Sequence, residues 1–488
     1  MPIVLAAAPI LISVVMILAL RQSALRAGAA GLATALLVAL LAPGYRMVLG
    51  DLGRALLSGV LTTLLVSYVL FGGLLLYSML REAGALTALA EALAKAVPDP
   101  SRRALILVLG LSVFFESSTG FGIGIVVAAP LFVALGYRPR DAALLALAGQ
   151  CAVTWGALAI GTTLGAALTG VPAARLGVLA APLSLPLILL CGGAALWLTG
   201  GAAALRRSWA EMLLYSGLLA AALAAASHWV GIEVAGMIGG LAVAGAGFAI
   251  GRVVDRGARE PLYDRALARA AAPFGLLLLF LLATRLVPPL REGLGGAVVL
   301  RVPELGFSLP FLYHPGFWLV LTALVSVPLL RIGLGQLAAA AAGTLRPWLV
   351  ATFAVAGFLC FSQIMVASGM TLALAEAVAA ATGRGYLLLL PLVGGLGGFL
   401  TASNAGSNAM FAGFQEAMSA RLDLPEDLAI AAQNAAGANT TLASPGRVVL
   451  AAAVTGLAGQ EGRLMRPALG LAAGGLIGLA AMLWVWIG

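Results

Sequence analysis

Apolar runs long enough to cross a membrane follow one another along almost the whole chain, and a few of them are broken in the middle by polar and glycine-rich residues. That combination restricts the fold more than any other feature of the sequence. In hydrocarbon every backbone amide and carbonyl needs a partner within the protein, so irregular backbone survives at membrane depth only where protein or a watery cavity surrounds it. A helix needs about 20 apolar residues to cross. Runs of that kind lie at 3–20, 28–43, 57–79, 142–171, 178–200, 210–226, 234–251, 270–287, 316–330, 347–366, 427–459 and 467–487, which makes twelve expected crossings. Two further apolar segments, 104–136 and 386–420, carry polar interruptions that suit re-entrant hairpins. With 62% hydrophobic and 10% charged residues and a mean hydropathy of +1.07, no stretch remains for a separate soluble domain. The expected fold is therefore an all-α polytopic membrane protein.

The net charge of +9 does not point to nucleic acid, because the basic residues sit singly or in pairs between apolar runs. If both broken segments turn back on themselves, nineteen of the 28 Lys and Arg residues fall on one side, among them Arg21, Arg26, Arg102, Arg103, Arg206 and Arg207. Seven fall on the other, including Arg46, Arg54 and Arg175, while Arg285 and Arg447 stay within or at the edge of spans. The positive-inside rule makes the first side cytoplasmic and places both termini outside. The first run lacks the basic start and cleavage site of a signal peptide and reads as a retained span. Three cysteines, Cys151, Cys191 and Cys360, all in apolar segments, support neither a disulfide framework nor a metal cluster.

The sequence also repeats itself. Leu89–Val97 (LAEALAKAV) returns 285 residues later as Leu374–Thr382 (LAEAVAAAT), and one residue further on Ser117 matches Ser403, Gly120 Gly406, Pro139 Pro425 and Asp141 Asp427. The chain then divides into a first helix at 1–29, a first repeat at 30–202 with hairpin 104–136 and broken helix 142–171, and a three-helix insert at 203–315. A second repeat at 316–488 carries hairpin 386–420 and broken helix 427–459. Three intervening crossings invert the second copy, and inverted repeats with discontinuous helices are the plan of secondary transporters, whose site lies at the repeat interface. The segment 83–97 and its copy near 369–382 read as amphipathic helices along the membrane surface.

Four interruptions carry the chemistry: Glu116–Gly122, Gly149–Gly156, Ser403–Asn408 and Gln433–Arg447. They should converge on one polar cavity, where half-helix N-termini favour an anion and hydroxyl and amide side chains bind a substrate or a cation. Glu116 is the candidate proton carrier, since burial favours a neutral carboxyl. Arg447 can hold a substrate carboxylate or pair with Glu116 when the site is empty. Candidate substrate-binding residues are Ser117, Ser118, Thr119, Gly120, Gln150, Thr154, Ser403, Asn404, Ser407, Asn408, Gln433, Asn434, Asn439, Thr440, Thr441 and Arg447. Plainer roles fit the rest. His228 and His314 belong to the interface, Cys151 fills space, and Asp141 and Asp427 complement first-turn helix dipoles.

At this point the motifs resemble the L-lactate permease family. The resemblance rests on Glu116–Tyr137 (ESSTGFGIGIVVAAPLFVALGY), Ser407–Gln415 (SNAMFAGFQ), Gly437–Arg447 (GANTTLASPGR) and Val454–Arg466 (VTGLAGQEGRLMR), and it covers most of the chain. It implies a permease of the bacterial inner membrane carrying lactate, and often glycolate, with protons, related to ion transporters with paired hairpins. Ser117–Thr119 is more polar than the family's small-residue hairpin. Thr441 stands where the family has Lys, with Arg447 just after it. The reading that follows is a proton symporter of a small 2-hydroxy monocarboxylate, not an enzyme, with no cofactor and no metal. The alternative on the same fold is a Na⁺-coupled carrier of another organic anion, with Ser117, Thr119, Ser403 and Asn408 as oxygen ligands; a passive channel or membrane enzyme is a third. The expected partners are the carboxylate, protons or Na⁺, and the lipid bilayer, with no nucleic acid; a homodimer stays open.

Overall fold

The computed structural model describes residues 2–86, 88–89, 97–120, 122–254 and 265–487. Most of the expected surface helix at 83–97 lies outside them. The described chain is a multi-pass bundle of helices with one small β-ribbon. Helices α1 (Pro2–Leu18), α2 (Ala24–Leu41) and α3 (Leu49–Glu82) are followed by the first hairpin. Its first arm is α4 (Pro100–Leu105), a wide π turn at Ile106–Leu111 and α5 (Ser112–Thr119); its second is α6 (Ile123–Ala134). The first broken helix is α7 (Pro139–Ala148) and α8 (Gly156–Thr169), bent by 62° across the gap. Then come α9 (Ala173–Trp229), α10 (Ile232–Val254), α11 (Arg265–Leu286), α12 (Pro288–Gly296) and strands β1 (Val299–Val302) and β2 (Phe307–Pro310). Helices α13 (Pro315–Leu330), α14 (Leu334–Ala367) and α15 (Met370–Thr382) lead to the second hairpin, α16 (Tyr386–Thr401) and α17 (Asn404–Leu422). The second broken helix, α18 (Glu426–Thr440) and α19 (Pro445–Val454), precedes the last helix, α20 (Gly462–Ile487).

Eight helical segments among the described residues are long and apolar enough to span, one of them α15 together with α16 (Met370–Thr401), which was not among the twelve, and the bent pair α7–α8 makes a ninth. The difference from twelve has local causes. Helices α1 and α13 are only 17 and 16 residues long, and the second broken helix is split between α18 and α19. The expected crossings at 178–200 and 210–226 are joined in α9, whose 57 residues would reach about 85 Å if straight. Gly200 and Gly201 break that path, with Gly201 at φ +60°. The β1–β2 ribbon was not legible in the apolar pattern; its four antiparallel pairs, Val299 with Pro310 through Val302 with Phe307, sit between α12 and α13.

The two sequence-related helices α3 and α14 run antiparallel. As the residue number rises along α3 it falls along α14: the Cys360 thiol donates to Leu56 O (3.8 Å), Trp348 Nε1 to Ser67 O (3.0 Å), and the Thr344 hydroxyl to Ser78 Oγ (3.2 Å). The hairpin tips do not keep the expected register. The first arms end at Thr119 and Thr401, 282 residues apart, although Ser117 and Ser403 match at 286. One helical turn separates the two counts, so Ser117 stays inside a helix while Ser403 lies at the break.

One largely buried ion pair ties the insert to the rest, and a second ties the insert's own helices together. Arg102 at the base of the first hairpin makes a bidentate pair with Glu211 on α9 (2.9 and 2.8 Å), and Tyr215 donates to the same carboxylate (3.1 Å). Arg285 pairs with Glu233 (3.0 Å) and stacks on the Tyr313 ring at 3.9 Å, so this intraspan arginine serves the fold. Both histidines lie at helix ends. His228 is exposed at the end of α9, and His314 caps α13 by accepting from Gly316 N (3.3 Å) while stacking on Tyr68.

Hairpin and broken helix of the second half touch through backbone. A methyl group at Gly398 on α16 would lie 1.8 Å from the Gly437 carbonyl oxygen on α18, which neither chain can yield without moving a helix. Gly398→Ala is expected to lower stability by about 1–3 kcal/mol or abolish folding, whereas Gly470→Ala, with open space around it, leaves the melting temperature in detergent unchanged.

Candidate functional site

Both hairpins and both broken helices end at one cavity of about 430 Å³. Its polar wall is built from the tips: Glu116 and Gly120 of the first hairpin, Ala402–Gly406 of the second, Val153–Gly161 around the first break, and Gly446, Arg447 and Leu450 of the second. Helices α3 and α14 supply the facing wall, and the α1–α2 link contributes Ser23–Leu25.

Local sequence explains how Arg447 arrives there. Ser444 is the N-cap of α19, its hydroxyl accepting from Arg447 N (3.4 Å), and Pro445 follows at the first helical position, where its missing amide costs nothing. The Ser-Pro-Gly-Arg run thus starts a helix beside the cavity and sets the guanidinium in its first turn. Arg447 Nη2 donates to Glu116 Oε1 at 3.0 Å, Nη1 to Gln150 Oε1, and Nε to Ala402 O at 3.4 Å. Glu116 also accepts the backbone amides of Gly122 (3.3 Å) and Gly124 (3.4 Å). The carboxylate therefore caps the second arm of its own hairpin, where Gly122 takes φ +76° and forms the turn that aims the amides inward. Both charges are buried, at 2% exposure for Glu116 and 6% for Arg447.

The second hairpin offers its helix N-terminus without a carboxylate. Ser403 N-caps α17 by accepting from Gly406 N (3.2 Å), and Ser403, Asn404, Ala405 and Gly406 all border the cavity. The α17 and α19 N-termini, with the Arg447 guanidinium, thus surround one space. Their partial positive charge and free amides favour an anion there.

Three of the four interruptions are shorter than the sequence implies. Helix α18 runs on through Gln433–Thr440, and only Thr441–Ser444 departs from it. The first break is wider, because Ala157, Leu158 and Ala159 follow it with φ of +48°, +52° and +57°, one left-handed turn without a glycine.

Of the sequence candidates, Glu116, Gly120, Ser403, Asn404 and Arg447 line the cavity, and Gln150 touches it through Arg447. The hydroxyl triplet does not reach it. Ser118 and Thr119 bond back to Phe114 O (2.7 Å) and Phe115 O (2.9 Å), and Ser117 packs on α10, where a Cβ at Gly236 would lie 2.0 Å from its Oγ. Of the oxygens proposed for Na⁺, Ser117 Oγ faces Gly236, Thr119 Oγ1 bonds its own helix, Ser403 Oγ caps α17, and Asn408 Oδ1 is buried with no hydrogen-bond partner among the described residues. Thr440 and Thr441 are bonded to Gly395 O and Ala438 O, and Asn439 is buried away from the cavity.

The remaining candidates form two buried networks behind the polar wall. In one, Asn434 Oδ1 accepts from Asn404 Nδ2 (2.8 Å) and Asn408 Nδ2 (2.9 Å), while Asn434 Nδ2 donates to Thr162 Oγ1 (3.0 Å) and Thr162 donates to Thr154 O (2.6 Å). In the other, Tyr386 donates to Gln415, Gln415 to Gln433 (3.0 Å), Gln433 to Ser407 (3.0 Å), and Ser407 to Gly394 O (2.8 Å). Thr162, Gln415 and Tyr386 were missed from sequence. Thr162 and Gln415 could have been found as polar residues facing one way in otherwise apolar or small-residue stretches. Among the described residues, no three His, Cys, Asp or Glu side chains gather as metal ligands.

The model of the L-lactate permease family matches residues 2–305 and 294–486 of this chain. An L-lactate permease of Salmonella typhimurium is 26% identical over 449 residues, covering 82% of this chain and 80% of that one. The glycolate permease GlcA of Escherichia coli is 24% identical over 458 residues, with the same coverage of 82% and 80%. A transporter of known structure, YdaH of Alcanivorax borkumensis, superposes with a TM-score of 0.45 at 17% identity, over 90% of this chain and 86% of that one.

Asn434 is the acceptor for two carboxamides from the second hairpin, so removing it orphans buried donors. Asn434→Leu is expected to cost about 1–3 kcal/mol, read as a lower unfolding temperature of the purified protein.

Proposed function

The chain belongs to the L-lactate permease family, and from that premise we propose that it imports a small 2-hydroxy monocarboxylate, L-lactate or glycolate, by proton symport with alternating access. It is a transporter rather than an enzyme. The observation that carries the reading is the Arg447–Glu116 pair at the meeting point of both hairpins and both broken helices.

A buried guanidinium needs a counter-ion, and leaving either partner alone costs about 3–5 kcal/mol. The substrate carboxylate replaces Glu116 at Arg447 and takes up amides at the α17 and α19 N-termini. Glu116, deprived of its cation in a buried place, then takes a proton. The charge of the loaded site equals that of the empty one, so anion and proton enter together. Departure of the carboxylate on the far side returns Arg447 to Glu116 and expels the proton.

The moving unit is formed by the hairpins and broken helices of both inverted repeats, 30–202 and 316–488, against a frame that includes the antiparallel α3–α14 pair. Residues 1–29 and the insert 203–315 flank them. The protein sits in the bacterial inner membrane with both termini outside, an orientation that the arginine distribution supports when both broken segments turn back on themselves.

In proteoliposomes, Glu116→Gln is expected to abolish lactate uptake driven by a pH gradient while preserving lactate–lactate exchange; gradient-driven uptake at the wild-type rate would remove Glu116 as the proton site. Arg447→Ala is expected to weaken carboxylate binding about ten- to a hundredfold, the worth of a charged hydrogen-bonded pair. Uptake that needs Na⁺ at fixed pH would overturn proton coupling.

A further inference from the structure

The cavity is lopsided. One wall holds the ion pair and the helix N-termini; the wall opposite is aliphatic and aromatic, formed by Leu70 on α3 and Val350, Ala351, Val355 and Phe358 on α14. Its volume of about 430 Å³ falls within the range of about 300–1,000 Å³ that encloses drug-sized ligands. Lactate carries a single methyl group and glycolate none. Neither can cover that wall while its carboxylate is held at Arg447. An uncovered apolar wall beside water is unfavourable in proportion to its area, and a ligand tail that covers it gains affinity for each methylene buried.

We infer that this carrier takes 2-hydroxy monocarboxylates with a branched or aromatic apolar tail, and binds them more tightly than lactate. The inference rests on the reading of the cavity as the carboxylate site. The head group occupies the polar wall, where Arg447, Ser403 and the α17 amides face it, and the tail lies against Leu70, Ala351, Val355 and Phe358. Ala351 is the position at which the tail's room is set, because its short side chain leaves open the space that a larger residue would fill.

The test uses the full-length purified protein and calorimetric titration with L-lactate, 2-hydroxybutyrate, 2-hydroxyisocaproate and 3-phenyllactate. Affinity is expected to rise about three- to fourfold for each methylene added, until the wall is covered. Ala351→Leu is expected to bring the affinity ratio of 2-hydroxyisocaproate to lactate back toward one, and Leu70→Ala, which keeps the space but removes contact, is expected to lower the same ratio. Lactate binding without any gain along the series overturns the inference and leaves the carboxylate site standing. Binding of the longer acids that Arg447→Ala does not weaken also overturns it, because the tail would then be held elsewhere. If no acid binds, lactate included, both the inference and the site reading fall.

Discussion

The contact on which the rest depends is the ion pair between Arg447 and Glu116. Its partners are 331 residues apart in sequence and come from a broken helix of one half and a hairpin of the other. Neither charge can be kept in the interior alone, and together they are kept only because further donors and acceptors complete their shells. Gln150 and Ala402 O serve the guanidinium; Gly122 N and Gly124 N serve the carboxylate. Four interruptions of helical structure are thus tied to one another through two side chains. The hairpin breaks have a reason: they supply the Gly122 and Gly124 amides and the Ala402 carbonyl, which a continuous helix would have used on itself, while the broken helices supply the Gln150 and Arg447 side chains.

Behind that pair, the polar networks decide which parts move as one. Gln415, Gln433 and Ser407 stitch the second hairpin to α18, and Asn434 joins that hairpin to the first broken helix through Thr162. These bonds are buried, where an unmade one is expensive. Arg102 with Glu211, and Arg285 with Glu233, hold the insert helices in the same way. The α3–α14 contact is mixed, with a few hydroxyl and indole bonds along a largely apolar face.

Much of this was legible in the sequence, for identifiable reasons. A carboxylate beside glycines and a Ser-Pro pair before an arginine inside apolar runs are costly unless used, and both Glu116 and Arg447 reached the cavity. The hydroxyls misled, because a Ser or Thr inside a helix satisfies itself at the carbonyl four residues back, as Ser118 and Thr119 do. The interruption at Gln433–Arg447 looked longer than it is, since amide side chains that bond one another across helices need no unwinding at all. The one-turn offset of the hairpin tips was invisible because residue matches register sequence positions, whereas the tip falls where glycine geometry and capping permit a break. The kink at Gly200–Gly201 and the β-ribbon depend on packing that no apolar pattern encodes.

Ala157, Leu158 and Ala159 hold left-handed backbone in a place where the chain has no glycine to ease it. Each such residue costs roughly 1–2 kcal/mol relative to a right-handed one, so this turn is wound against its own preference, beside the cavity and under the tip at Gly120. A segment in that condition acts as a preloaded spring. In this structure, with Arg447 on Glu116, the packing of the surrounding tips holds the turn in place, so a rearrangement that frees Ala157–Ala159 regains part of that cost.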